Sequence, residues 1–195
     1  MLTVHSIINT LFDNSNIDYL ELGLSCGTHF NKLTIRNKES VDITDKGKPT
    51  YLMTTDEFFN QNTKKYDIIF IDADHEYKQV IKDFNNSIDI LKDGGVIFLH
   101  DLYPVIFEQT QPKYCYDSYK ILDYFMKNNY DILVNTTDYG STCVFNPKKI
   151  NTTDVLEHLK WEDFFQNYKV DGKKILSGLN AFIELFKEKN KIKNG

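Results

Sequence analysis

Cysteine is scarce in this chain. Cys26, Cys115 and Cys143 are odd in number, irregularly spaced and never form a CxxC pair, which suggests neither a disulfide framework nor a zinc site and points to a reducing, cytoplasmic setting. Arginine is scarcer still. Arg36 is the only one, and with a net charge of -5 the chain shows no basic face of the kind that nucleic acid or an anionic membrane rewards. No stretch approaches the roughly 20 apolar residues of a membrane span. The opening MLTVHSIINTLFDNSN also lacks the basic start and long apolar run of a secretory leader. Internal repeats, low-complexity segments and linkers are absent too. The 195 residues therefore read as one domain, residues 1-195, with a core over about 18-146 and a helical extension over 151-190.

What is present centres on residues 66-101, YDIIFIDADHEYKQVIKDFNNSIDILKDGGVIFLHD. Asp67 to Ile71 and Gly95 to Leu99 are short apolar runs, as in strands buried on both faces of a parallel sheet. Between them Tyr77, Val80, Ile81, Phe84, Ile88 and Leu91 recur at helical spacing. Gly94 and Gly95 stand where a left-handed residue would stop that helix. A strand-helix-strand unit of this kind brings both strands out at one edge. Asp72, Asp74 and His75 then meet His100 and Asp101 there, on the edge where open α/β sheets bind their ligands.

Upstream, Ile7, Ile8, Leu11 and Phe12 predict a short amphipathic helix over 5-13. Tyr19 to Leu22 reads as a strand running into a glycine loop, Gly23-Leu24-Ser25-Cys26-Gly27-Thr28-His29-Phe30, with a helix expected after it so that backbone N–H groups can approach a ligand. The pattern is ExGxxxG, without the third glycine of a dinucleotide fingerprint. Ser40 to Ile43 predicts a second strand that delivers Asp42 about 20 residues past the loop, a position suited to accepting two ribose hydroxyls. Tyr51 to Met53 reads as a third strand, although Thr44 to Pro49 is shorter than the usual crossover. Thr54 to Glu57 is a capping-box start for the helix carrying Phe58 and Phe59.

Residues 102-117, with two prolines and several aromatics, form a long connection at the ligand edge, suited to a lid or an acceptor wall. A helix through Tyr119, Leu122, Phe125 and Met126 follows. Tyr130 to Thr136 and Ser141 to Phe145 then predict a terminal antiparallel hairpin about Asp138-Tyr139-Gly140. From Thr152 to Lys189 the periodicity is helical, with Gly172 between two helices. Three uses are open to them: covering the sheet, closing over the acceptor, or forming a homodimer surface. His5, His29 and His158 read as structural or solvent-exposed, His29 having some claim through its loop.

Taken together, YLELGLSCGTHF, SVDI, TTDEFF, YDIIFIDADHEY, DGGVIFLHD and the late hairpin resemble the class I S-adenosylmethionine-dependent methyltransferases over roughly residues 18-146. Within them the chain is most similar to the small-molecule and sugar O-methyltransferases, the cephalosporin hydroxylase-like, macrolide-sugar and catechol-type group. The resemblance implies a Rossmann-like α/β fold, doubly wound, with a seven-stranded, mostly parallel sheet and an antiparallel last strand. It implies that Glu21, Gly23, Ser25 and Gly27 surround the methionine part of S-adenosyl-L-methionine, with Asp72 beside them. Asp42 would then hold the ribose, and Thr55 and Asp56 would lie near the adenine. In metal-dependent relatives the positions of Asp72, His100 and Asp101 hold Mg2+, and His100 here leaves the divalent cation open because imidazole suits softer ions. His75, His100 and Asp101 are the candidate catalytic residues. The implied reaction is methyl transfer to a hydroxyl of a sugar or glycoside, the alternatives being a phenol or a silent cofactor-binding protein.

Overall fold

The structure, a computed structural model of the 195-residue chain, describes residues 3-13, 16-151, 157-168, 175-176 and 179-193. Strands β1 (Asp18–Leu22), β2 (Asn37–Asp42), β3 (Tyr51–Leu52), β4 (Tyr66–Ile71), β5 (Leu91–Leu99), β6 (Asp131–Asn135) and β7 (Ser141–Phe145) lie in the order β3-β2-β1-β4-β5-β7-β6. All pairs from β3 to β5 are parallel, and β7 runs antiparallel to both of its neighbours. An eighth strand, β8 (Ile175–Leu176), adds two residues parallel to β6. Ile175 was expected in a helix; two residues of edge pairing take it instead. Seven strands are thus the frame, with one short addition.

Alternation along the strands sends side chains into two separate cores. Leu20, Leu22, Ile69, Ile71, Ile97 and Leu99 pack on one face, beneath α2 (Thr55–Gln61), α3 (Tyr77–Asp89), α4 (Tyr119–Lys127) and α5 (Trp161–Asn167). Tyr19, Ile68, Phe70, Val96 and Phe98 pack on the other, beneath α1 (Val4–Phe12) and α6 (Leu179–Lys193). Phe186 of α6 meets Phe98, Phe145 and Phe12, so the last helix spends its aromatic stripe on the sheet. Of the three uses open to the C-terminal helices, covering the sheet is the one α6 takes. Val155 and Leu156, also expected to be helical, lie outside the described residues. No helix among the described residues is long and apolar enough to cross a membrane.

Two local expectations are corrected. Gly94 and Gly95 do not stop α3, which ends at Asp89; they lie inside β5, where the register jumps from Tyr66↔Leu91 to Ile68↔Val96. Five residues against two force the strand to bulge, and Gly94 takes φ +78° to do it. The glycine loop is followed by a 3-10 turn, Phe30–Lys32, and not by an α-helix. No helix N-terminus therefore faces the ligand edge there. The short crossover between β2 and β3 is likewise a single 3-10 turn, Asp45–Gly47, and Ile43 lies past the end of β2, exposed.

The capping box forms as read: the Thr54 hydroxyl accepts the Glu57 N–H while the Glu57 carboxylate accepts the Thr54 N–H. One buried acid is not explained by the fold. Asp83 on α3 accepts from Gln79 Nε2 at 3.0 Å through one oxygen, and its other oxygen is buried without a partner. Burial pushes its carboxyl up to about 6. Because the folded value exceeds the unfolded one, this site favours the fold below the unfolded pKa and loses that contribution as pH rises through about 6. Asp83→Asn is accordingly expected to stabilise the protein by about 2 kcal/mol at pH 7.5. Near pH 4 the gain should vanish in urea unfolding, and an equal gain at both pH values would contradict the assignment.

Candidate active site

The strand order reverses direction at β1 and β4: the chain leaves β1 toward β2 and β3, then returns to β4 on the other side of β1. Loops after these two strands diverge there and open a crevice at the carboxyl edge. Gly23 and Asp72 occupy it. Gly23 has φ +89°, and a Cβ at that position would sit 2.1 Å from the Asp72 carbonyl oxygen, so only glycine lets the two loops touch.

Asp42, at the end of β2, organises the glycine loop. Its Oδ2 accepts the Leu24 and Ser25 N–H groups, both at 2.8 Å, and its Oδ1 accepts the Thr44 N–H at 2.7 Å and hydroxyl at 2.9 Å. Burial would raise its pKa, but these donors outweigh it and hold the carboxyl below its ordinary value. The loop N–H groups that no helix follows are thus fixed by a carboxylate, with Ser25 at φ +52°. Beside it lies a cavity of about 310 Å3 lined by Gly23, Asp42, Thr54, Thr55, Asp56 and Ala73. Gly27 stands behind the loop against Gly47, and Asp56 is ion-paired with Lys82 at 2.5 Å.

A second cavity, of about 370 Å3, opens on the other side of Ala73 and contains Ser25, Asp72, His75, His100 and Asp101. Asp72 follows β4, and His100 and Asp101 follow β5, whose pairing with β4 runs to Ile71↔Leu99. One ligand atom each of Asp72, His75 and Asp101 falls within 4.8 Å of the others. The sequence pointed to Asp72, His100 and Asp101 as this set; His75 Nε2 also reaches the two carboxylates, and His100 Nδ1 faces both. His100 is largely buried behind them, its Nδ1 3.3 Å from Asp72 and 3.1 Å from Asp101, its Nε2 3.6 Å from Asp138. Burial disfavours the imidazolium, but these carboxylates overcome it and raise the His100 pKa well above its usual value. His75 behaves likewise to a lesser degree, with Nε2 3.1 Å from Asp101 and Nδ1 hydrogen-bonded to the Tyr114 carbonyl. The two imidazoles in turn hold Asp72 well below the usual carboxylate range against the opposing effect of burial.

Asp101 is buried at φ +59°, a left-handed conformation that costs energy for most residues and is tolerated best by Asn and Asp. Its carbonyl accepts the Ser118 hydroxyl, which ties the site to the end of the 102-117 connection. That connection is a wall: Tyr114 reaches His75, Asp117 caps the Tyr77 N–H at 2.9 Å, and Trp161 of α5 donates to the Pro104 carbonyl at 2.9 Å.

Residues that the sequence did not single out complete the cavity. Asp138 and Tyr139, both at positive φ in the β6-β7 turn, reach it, and the Tyr139 ring stacks on Tyr114 at 5.7 Å. Because β6 ends at the same edge as β4 and β5, a residue just past β6 was the available signal. His5 and His29, read as structural or exposed, also line this cavity. Glu21 lines neither cavity: it is buried under His5 and Tyr19.

Residues 20-102 match a family model described as a methyltransferase domain. No curated protein matches. Among solved structures, the methyltransferase PaMTH1 from Podospora anserina, bound to S-adenosylhomocysteine, superposes with a TM-score of 0.53 at 16% identity, over 74% of this chain and 79% of that one. The O-methyltransferase from Bacillus cereus, also with S-adenosylhomocysteine, gives 0.50 at 12% identity over 72% and 77%. TomG, an O-methyltransferase of tomaymycin synthesis from Streptomyces achromogenes solved with S-adenosylmethionine, gives 0.50 at 12% over 72% and 76%. At such identities the likeness is one of fold.

Proposed function

We propose that this methyltransferase moves a methyl group from S-adenosyl-L-methionine to a hydroxyl of a small molecule, with a sugar or glycoside as acceptor. The observation that carries the reading is two cavities at one sheet edge that share Ala73, one beside the Asp42-braced glycine loop and the other walled by carboxylates and imidazoles. In this reading the first holds the cofactor: Asp42 and the glycine loop face the ribose and methionine parts, and Thr55 and Asp56 the adenine. The second holds the acceptor.

Bound S-adenosylmethionine supplies an activated methyl on a positively charged sulfur. What remains for the chain is to align the acceptor, exclude water and deal with the hydroxyl proton. Alternating carboxylates and imidazoles suit the several hydroxyls of a sugar, and the Tyr114-Tyr139 stack offers a ring face. That same stack favours a phenol as the second reading.

Asp72, His75 and Asp101 also fit a divalent cation. They offer two carboxylates and one imidazole, and Asp101 Oδ1 is buried without a hydrogen bond among the described residues, its ion-pair neighbour being His100 Nδ1 at 3.1 Å. The imidazole makes the set softer than the all-oxygen shells Mg2+ prefers. When bound, such an ion would lower the pKa of the acceptor hydroxyl.

Release of S-adenosylhomocysteine with methyl α-D-glucopyranoside and with catechol as acceptors tests the reading. Turnover on the glycoside, lost after exhaustive chelation and restored by Mn2+ or Mg2+, is expected. Turnover on catechol alone moves the acceptor to the phenol class, and turnover indifferent to chelation removes the metal. Cofactor binding without turnover on any hydroxyl compound would leave a silent binding protein.

A further inference from the structure

Four of the chain's five histidines, His5, His29, His75 and His100, line the 370 Å3 cavity. In two of them both nitrogens already face protein oxygens. His75 is engaged by Tyr114 through Nδ1 and by Asp101 through Nε2, while His100 faces Asp72 and Asp101 through Nδ1 and Asp138 through Nε2. His5 is differently placed. It comes from α1, outside the matched domain, and lies across Phe70 from His100, the Phe70 ring being 5.1 Å from His5 and 6.0 Å from His100.

His5 Nε2 is 3.2 Å from Glu21 Oε2, and the same oxygen accepts the Tyr19 hydroxyl at 2.6 Å. Burial, then Glu21, pushes the Tyr19 hydroxyl well above its ordinary pKa, so it stays a donor to Glu21. A carboxylate fixed on one ring nitrogen sets the tautomer and leaves the other nitrogen as the lone-pair atom. His5 Nδ1 makes no hydrogen bond to a described residue. His29 stacks on the ring at 4.9 Å and 17°, and burial together with His5 lowers the His29 pKa, so the stack adds no second positive charge. The charged and titratable groups around His5 include Glu21 and Tyr19 from β1 and His29 from the glycine loop, with Asp138 from the β6-β7 turn, Lys32 and Glu21 acting on His29.

We propose that His5, oriented by Glu21, is the general base that takes the proton of the acceptor hydroxyl. This rests on the O-methyl transfer reading above. The acceptor oxygen forms a bond to the methyl carbon as the carbon-sulfur bond breaks and its electron pair passes to sulfur. The hydroxyl proton passes to His5 Nδ1, and the imidazolium, stabilised by Glu21, returns it to water after product leaves. Tyr19 and Glu21 are positioning residues in this scheme.

Carbethoxylation of the full-length protein with diethyl pyrocarbonate, read histidine by histidine by peptide mass spectrometry at pH 7, tests the dyad without an acceptor. His5 is expected to react about 10-fold faster than His75 and His100, and Glu21→Gln to slow His5 about fivefold while leaving His75 and His100 unchanged. A His5 as slow as His100, or indifferent to Glu21→Gln, overturns the proposal. With whichever acceptor the screen above returns, His5→Gln is expected to lower kcat about 50-fold or more and to remove the acidic limb of its pH profile, with KM for S-adenosylmethionine unchanged. An unchanged kcat also overturns it. Calorimetry with S-adenosylmethionine on the parent separates the two claims: no binding overturns methyl transfer and the base together, whereas binding with an unreactive His5 overturns the base alone.

Discussion

Asp101→Asn is expected to cut methyl transfer by about 10²-fold to 10³-fold while leaving affinity for S-adenosylmethionine within about twofold. Asn is the informative replacement because it tolerates the left-handed backbone at φ +59°, where Ala would add strain of its own. The change removes a charge that His75 and His100 both lean on, at 3.1 Å each, and one of the three donors that fit a cation. Acceptor placement and any bound metal should therefore fail together. The check is kcat and KM for both substrates on whichever acceptor the screen returns. Parent-like turnover would mean that the carboxylates of this edge serve the fold and not the reaction.

Asp42→Ala should weaken S-adenosylmethionine binding by about 2–3 kcal/mol, or roughly 30-fold to 150-fold, through the loss of charge-assisted hydrogen bonds. Two effects contribute. The carboxylate facing the cavity disappears, and the Leu24 and Ser25 N–H groups lose the acceptor that holds the glycine loop open. Asp42→Asn separates them, since its carbonyl oxygen can still accept from the loop while the charge is gone. An Asn variant closer to the parent than the Ala variant would assign most of the effect to loop bracing, whereas equal loss would assign it to the charge. Affinity unchanged in both would remove Asp42 from the cofactor site.

Sequence periodicity reached the frame of the molecule because its strongest signals are local. The runs at 67-71 and 95-99 are apolar on both faces, and Tyr77 through Ile88 hold one stripe, so β4, α3 and β5 were legible together with the shared edge of Asp72 and Asp101. Gly94 and Gly95 were misplaced because a glycine pair between a helix and a strand looks the same whether it caps the one or bulges the other; only the register against β4 decides. The glycine loop suggested a helix by its spacing, but its N–H groups are satisfied by Asp42, a residue 17 or 18 positions away. Long-range partners of this kind leave no trace in a local window.

The same limit explains the site. Asp72, His75, His100 and Asp101 were found because two neighbouring strands deliver them. Asp138 comes from a hairpin turn whose DYG sequence accounts for itself as a turn, and His5 from a helix that meets the cavity only once α1 has packed beside Phe70. His75 was read as a base and not as a ligand because it comes three residues after Asp72, yet its Nε2 lies 3.7 Å from Asp72 and 3.1 Å from Asp101.

Titration of S-adenosylmethionine into the full-length protein by isothermal calorimetry, beside Asp42→Ala and with NAD as the competing ligand, tests the central claim most directly. The crevice between Gly23, Asp42 and Asp72 predicts one site per chain with a micromolar dissociation constant, about 30-fold or more weaker in the variant, and no competing heat from NAD. Absence of binding, or NAD binding more tightly than S-adenosylmethionine, would contradict it.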